Sequence, residues 1–311
     1  MNALSRHLKQ YLELRHRLGF KLYDTSCELH HFVRFAQEEK ATHITTNLAV
    51  RWATQPTGCL PARWGTRLGM LRQFARYLSA VDPRTEIPPE GLLPSHYHRK
   101  TPYLYSDEQV LQLLKAAQQM PSPKGLRAAT YSTLFGLLAA TGMRLGEAIG
   151  LDRQDIDLDQ DLLKVRQAKF NKSRWVPIHP TTRDKLQQYR RARDRRCTHP
   201  KSPSFFLSEQ GTRLTGCIVR HWFIRLSHQI GLRQPADHHG PRIHDLRHRF
   251  VIGTLRRWYQ TERAVEAHLP KLAAYIGHSH VNDTYWYISA TPELLQLATE
   301  RLEGKKGRAL S

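Results

Sequence analysis

Acidic side chains are scarce in this sequence: 27 Asp and Glu stand against 48 Lys and Arg in 311 residues, a formal charge of +21. Cysteine is scarcer still. Cys27, Cys59, Cys197 and Cys217 lie far apart with no CxxC pair, which argues against a disulfide framework or a Cys-rich zinc site and suits a reducing cytosol. No run approaches the roughly eighteen apolar residues that a membrane span needs. Residues 1–10 are polar and mixed, unlike the apolar stretch of a secretory signal. There is no internal repeat and no low-complexity tract. What remains is 40% apolar, enough for a real core and too much for wholesale disorder, at a length that suggests two domains.

A positive surplus of this size implies an anionic partner. It lies in arginine far more than lysine, and the arginine fork grips phosphate in a bidentate fashion that lysine cannot match. It is also spread out: residues 1–100 hold 15 basic and 8 acidic side chains, and the remainder 33 and 19. A membrane-binding segment concentrates its charge in one helix or tail. Distributed charge favours an extended polyanion touched by both parts of the chain, with double-stranded DNA the leading candidate and no membrane partner expected.

Hydrophobic spacing divides the chain. Leu4, Leu8, Tyr11, Leu12 and Leu18 keep a helical period and Gly19 ends it. Thr25-x-x-Glu28 fits a capping box opening a second helix on Leu29, Phe32, Val33 and Ala36. Trp64, Leu68, Leu71, Ala75 and Leu78 mark a third, on which Arg63, Arg67, Arg72 and Arg76 decorate the side away from the apolar stripe as candidate DNA contacts. Residues 83–102 carry five prolines and little periodicity, a linker signature. Beyond them, helices are expected over 106–117 and 126–140. Two β-type runs, 162–167 and 174–178, flank a hairpin turn at Phe170–Ser173. Helices follow near 181–196, 215–230, 244–259 and 268–276. Thr291-Pro292 opens a last helix with Leu294, Leu295, Leu297, Ala298 and Leu302 on one side. The basic segment 183–201, with Arg190 and Arg191, is a further candidate phosphate-contacting face.

Four segments of the second half attract chemistry: Thr141–Glu147 around Arg144, Ala168–Lys172 with Lys169 and Lys172, His244-Asp245-Leu246-Arg247-His248, and Gly277-His278 running on to Tyr285-Trp286-Tyr287. A glycine-broken turn between apolar helices projects Arg144 from rigid supports. The i, i+3 spacing puts His244 and Arg247 on one helical face. His244-x-x-x-His248 has the spacing of a zinc helix, but Asp245 stands where a catalytic Glu would follow and no third ligand is evident, so no metal is expected. Two residues on a helix turn through about 200°, so Tyr285 and Tyr287 cannot both face one site if this segment is helical.

In the order and spacing of these segments the sequence resembles the tyrosine recombinases, the phage-integrase-like family. The likeness covers the whole second half, with looser agreement in the first. It implies a mainly α fold with a small antiparallel sheet (α+β): a helical, SAM-like DNA-clamping domain over 1–92, a linker over 93–103 and a catalytic domain over 104–311. It also implies roles: Arg144 and Arg247 clamping a phosphate, His244 donating to it or helping to move the nucleophile's proton, His278 bonding a non-bridging oxygen, Lys169 as general acid with Lys172 as rival, and Tyr287 as nucleophile nine residues after His278, with Tyr285 as competitor. Such a site breaks a DNA strand through a 3′-phosphotyrosyl intermediate, without cofactor or metal. A tyrosine hydroxyl is ionised to only about one part in a thousand at neutral pH. It therefore needs a base or a strongly cationic setting, and the leaving alkoxide needs an acid.

The resemblance further implies a tetramer, two dimers on two DNA sites, with the last helix exchanged between protomers. It leaves room for helper recombinases or accessory proteins. The role expected is movement of a mobile element, in the cytoplasm of a prokaryote and associated with its nucleoid. The rival readings are a catalytically silent DNA-binding or architectural protein of the same fold, and a type IB topoisomerase. A metal nuclease is disfavoured, because no cluster of carboxylates appears in the sequence.

Overall fold

A computed structural model of the chain describes residues 3–94, 101–166, 173–237, 240–261, 265–278 and 280–309. The chain divides into two compact units, Met1–Lys100 and Thr101–Ser311. The first is a helical bundle of α1 (Ala3–Arg17), α2 (Tyr23–Glu38), α3 (Thr46–Thr54) and α4 (Pro61–Ser79). Its core is Leu4, Leu8, Phe32, Leu71, Phe74 and Trp52, with the Phe32 and Trp52 rings edge to face at 5.4 Å. Gly19 turns the chain out of α1 at φ 86°, a backbone conformation that costs glycine nothing.

Two sequence expectations are corrected here, the Thr25–Glu28 capping box and a DNA-facing Arg67, and two further features emerge. Helix α2 starts two residues before Thr25, from Leu22 in the left-handed region at φ 43°, with no side-chain cap. Glu28 is turned inward instead of capping. Helix α3 was not legible: it is short and rich in β-branched residues, and tertiary burial of Leu48, Ala49 and Trp52 stabilises it. Arg67 is 8% exposed. Its guanidinium lies 4.1 Å over the Trp52 ring, donates to the Trp52 carbonyl and pairs with Glu28 at 3.3 Å, so it belongs to the core and not to a DNA-facing surface. Arg63 also pairs with Glu28, from the exposed side, while Arg76 is exposed. Finally, the start of the proline-rich stretch is fastened down. Arg72 donates to the carbonyls of Pro88 and Pro89, and the Glu86 carboxylate accepts from the Thr46 amide at 2.7 Å.

The second unit is built on α6 (Leu126–Thr141), a largely buried helix packed by α5 (Asp107–Gln118), α8 (Pro180–Arg196) and α10 (Asp245–Thr261). Ser106 and Gln109 form a reciprocal capping box on α5. After the short α7 (Leu145–Gly150), a three-stranded antiparallel sheet runs in the order β1 (Ile156–Asp157), β2 (Leu162–Val165), β3 (Arg174–Pro177), with Leu163 opposite Val176. Lys169 and Lys172, between β2 and β3, lie outside the described residues. Helix α9 (Gly216–Gln229) joins the main core through Val219, Phe223 and Leu226.

A separate, smaller core gathers α10, α11 (Val265–Ile276), α12 (Asn282–Ala290) and α13 (Pro292–Ala309) around Val251, Leu255, Leu269, Leu272, Tyr287 and Leu294. Helix α13 packs on its own unit, and Glu293 pairs with Arg256 of α10 at 3.0 Å. Among the described residues no helix is long and apolar enough to cross a membrane.

The burial of Arg67 generates a stability test for the first unit. Glu28→Ala leaves a buried guanidinium without its carboxylate and is expected to cost about 3 kcal/mol in urea unfolding, most of it regained in the double variant Glu28→Ala/Arg67→Met. A neutral Glu28→Ala contradicts the assignment.

Candidate active site

Where the main core of the second unit meets the smaller one, five pieces of chain converge: the α6–α7 turn, strand β3, the start of α10, the end of α11, and α12. Helix α6 stops at Gly142, whose φ of +62° admits glycine best and where a Cβ would come within 2.5 Å of the Phe250 ring. The stop frees the Gly142 carbonyl, which accepts from Arg247 at 2.8 Å. Arg144 follows, half-buried, and its backbone amide donates to Glu147 at 2.9 Å.

Helix α11 ends in a Schellman-type turn. The His278 amide donates to the Ala273 carbonyl and Gly277 takes φ +71°. The last carbonyls of a helix point outward without intrahelical partners and carry the negative pole of its dipole. Here three guanidiniums take them. Arg174 of β3 donates to Tyr275 at 2.9 Å, Arg247 of α10 to Ile276 at 2.8 Å, and Arg144 to Gly277 at 3.0 Å. The Glu147 carboxylate, 9% exposed, binds Arg174 through both oxygens at 3.0 and 2.8 Å and Arg144 at 3.0 Å. A Cβ at position 277 would meet the Arg174 guanidinium at 2.7 Å, so the turn that presents His278 is fitted to that side chain.

The electrostatics follow from this crowding. Burial would raise the Glu147 carboxyl, but the hydrogen bonds and charge of Arg174 and Arg144 outweigh it and hold the group below its ordinary value. Arg247 is 2% exposed and bonded to two neutral carbonyls. Burial first, then the charge of Arg144, lowers its pKa to about 10, so it remains a cation at neutral pH. His244 sits immediately before α10 and is an exposed residue. Protein packed under the ring, then His248 and Arg247, bring its pKa down to about 4, so it is neutral until an anion approaches.

Helix α12 separates the two tyrosines. Tyr285 is 47% exposed, whereas Tyr287 is 3% exposed and faces inward. The Tyr287 ring stacks against His278 with centroids 6.1 Å apart, and its hydroxyl lies 3.1 Å from His248 Nδ1. Thr284 holds His278 Nδ1 at 2.9 Å. The structure thus brings Arg144, His244, Arg247, His278 and Tyr287 to one place. Away from it, on α8, Arg191 is exposed, Arg190 is half-buried, and Arg193 is buried against the Ser204 carbonyl. Sequence reasoning missed Arg174, an unremarkable residue one position past the hairpin turn. It also weighed His248 only as a metal ligand, although its place directly after Arg247 was a usable signal.

The Phage integrase family matches residues 104–293. Over 307 residues the chain is 47% identical to y4rB of Sinorhizobium fredii, named as an integrase/recombinase, covering 97% of this chain and 98% of that protein. It is 30% identical over 220 residues to the tyrosine recombinase XerC of Azotobacter vinelandii, covering 71% of this chain and 67% of that one. Among solved structures, the Tn1549 transposon integrase in complex with transposon right end DNA shares the fold at TM-score 0.67 and 17% identity, over 97% of this chain and 100% of that one.

Glu147 gives the site a pH signature. A carboxyl with a depressed folded pKa stabilises the protein above its unfolded value, ordinarily 4.5, and that contribution is lost as pH falls through the folded pKa. Glu147→Gln is expected to cost about 3 kcal/mol in urea unfolding at neutral pH. The gap from the native chain should hold constant down to that unfolded value and narrow only below it; a gap that does not narrow there rules the assignment out.

Proposed function

The chain belongs to the phage integrase family of tyrosine recombinases, and from that premise we propose that it cuts and rejoins duplex DNA through a 3′-phosphotyrosyl intermediate on Tyr287. The observation that carries the reading is the buried charge of Arg247. Its guanidinium spends its hydrogen bonds on neutral carbonyls, shares its surroundings with two further arginines and one carboxylate, and feels the Tyr287 phenol electrostatically. A site with such an excess of fixed positive charge is organised for an anion. The phosphorane formed when a phenol attacks a phosphodiester gains charge on its non-bridging oxygens, which fixed guanidiniums stabilise more than they stabilise the diester.

In this mechanism Arg144 and Arg247 hold the scissile phosphate. His244, neutral in the free protein, becomes a donor as the phosphate raises its pKa, and His278 supplies a second donor. Tyr287 attacks phosphorus, and the departing 5′ oxygen takes a proton from Lys169, the role assigned by family resemblance, with Lys172 the alternative. The phosphotyrosyl ester keeps the energy of the broken bond, so rejoining needs no nucleotide cofactor.

Four protomers on two sites would exchange strands in pairs, with α13 leaving its own unit to dock on a neighbour. The first unit would close on the DNA with Arg63 and Arg76 toward phosphates, and the exposed side of α8, with Arg191, would add sequence-independent contacts. The task we assign is movement of a mobile element, in the prokaryotic cytoplasm on the nucleoid.

The test uses purified protein and duplex DNA carrying the ends of its own genetic locus, with EDTA present. An adduct that survives SDS and disappears with protease is expected from the native chain and from Tyr285→Phe, and is expected to be absent from Tyr287→Phe. Adduct lost only in Tyr285→Phe would move the nucleophile. Tight binding with no adduct in any variant would favour a silent DNA-binding protein.

A further inference from the structure

With His244 committed to the phosphate, in place of the proton-moving role that the family resemblance also allows it, the Tyr287 proton needs another destination. In the structure the hydroxyl lies 3.1 Å from Nδ1 of His248, a residue 9% exposed in the first turn of α10. The two rings are 5.4 Å apart and tilted by 54°. On the far side of the imidazole, Nε2 faces Asp245 Oδ1 at 3.9 Å, beyond hydrogen-bond length but close enough for a carboxylate to act on an imidazolium. Asp245 is itself 2% exposed. It is fixed by the Arg242 backbone amide at 2.8 Å and by the Arg242 guanidinium at 2.9 Å. Carboxylate, imidazole and hydroxyl therefore follow one another in space. With the ring proton on Nε2, toward the carboxylate, the Nδ1 lone pair is left for the phenol.

We propose that His248 is the general base of the reaction, taking the Tyr287 proton during strand cleavage and returning it during rejoining, with Asp245 as its positioning and charge-compensating partner. The inference rests on Tyr287 being the nucleophile. In cleavage the Oη–H bond breaks and the proton passes to Nδ1. The Oη–P bond forms, the P–O5′ bond breaks, and the leaving oxygen is protonated by the general acid. In rejoining the 5′ hydroxyl gives its proton to the now deprotonated general acid and attacks phosphorus, the P–Oη bond breaks, and the imidazolium gives its proton back to Oη.

The arrangement divides labour between His244, just before α10, and His248 in its first turn. Their rings meet edge to face with centroids 4.8 Å apart, too close for both to carry charge comfortably. His244 is open to solvent and available to a phosphate, whereas His248 is shut in with the nucleophile. The four-residue spacing suits this division: one helical turn carries a side chain from the phosphate side of the site to the phenol side.

The test measures single-turnover adduct formation on sheared duplexes from the source genome, for the native chain, His248→Ala and His248→Asn. Asparagine keeps a hydrogen-bonding atom near the Nδ1 position and most of the packed volume, so it guards against a variant that simply unfolds. Each is also prepared with 3,5-difluorotyrosine at position 287, whose phenol ionises more readily. Loss of a general base should slow the adduct by about 10²- to 10³-fold. Fluorination should recover most of that loss in the His248 variants while changing the native rate little. Adduct formation at the native rate in His248→Asn, or a loss that fluorination leaves untouched, overturns the proposal while the recombinase reading stands. A native chain that forms no adduct, or forms it through Tyr285, removes the reading and this proposal together.

Discussion

The catalytic unit depends on how one helix ends. The last carbonyls of α11 are the negative pole of a dipole, and three guanidiniums from three different parts of the chain are fastened to them. Backbone oxygens are rigid and neutral, so they fix the position of an arginine without cancelling its charge. A carboxylate in each of these places would have fixed the same side chains and neutralised them. Glu147 is the exception. It ties Arg174 to Arg144, and because it serves both at once the cluster keeps its positive excess.

That arrangement connects distant parts of the sequence. Arg144 comes from the turn after α6, Arg174 from strand β3, and Arg247 from α10. All three fit only because Gly142 and Gly277 adopt left-handed conformations and present no Cβ to Phe250 and Arg174. The turn at Gly277 then delivers His278, and α12 delivers Tyr287 inward, so a single helix terminus sets the relative placement of the cations, the histidine and the phenol. Burial of a guanidinium is costly, and in the proposed mechanism the scissile phosphate would offset that cost at Arg247. Binding and preorganisation are in this sense the same interaction.

Much of this was legible in the sequence because it is local. Apolar spacing located α1, α4, α6, α8 to α11 and α13, and the glycine stops at positions 19, 142 and 277 fell where the chain turns. The two tyrosines were separable by helical geometry alone, and α12 does point one in and one out. The failures share a cause: in each, a polar side chain or a short segment is committed by a contact far away in sequence. Arg67 looks like a surface residue until Trp52 and Glu28 are beside it. Thr25-x-x-Glu28 looks like a cap until Arg63 and Arg67 claim the glutamate. Arg174 has no local mark at all, since its partners are 27 and about 100 residues away.

The central claim is that fixed, uncompensated guanidinium charge, above all on Arg247, acts on the scissile phosphate. It is tested most directly by removing charge from the DNA in place of the protein. A methylphosphonate at the cleaved position is neutral but keeps the geometry of attack. Arg247→Ala should fail on ordinary phosphate and recover much of the native adduct rate on the methylphosphonate. Equal failure on both substrates would mean that Arg247 serves the architecture of the site and not the charge of the transition state.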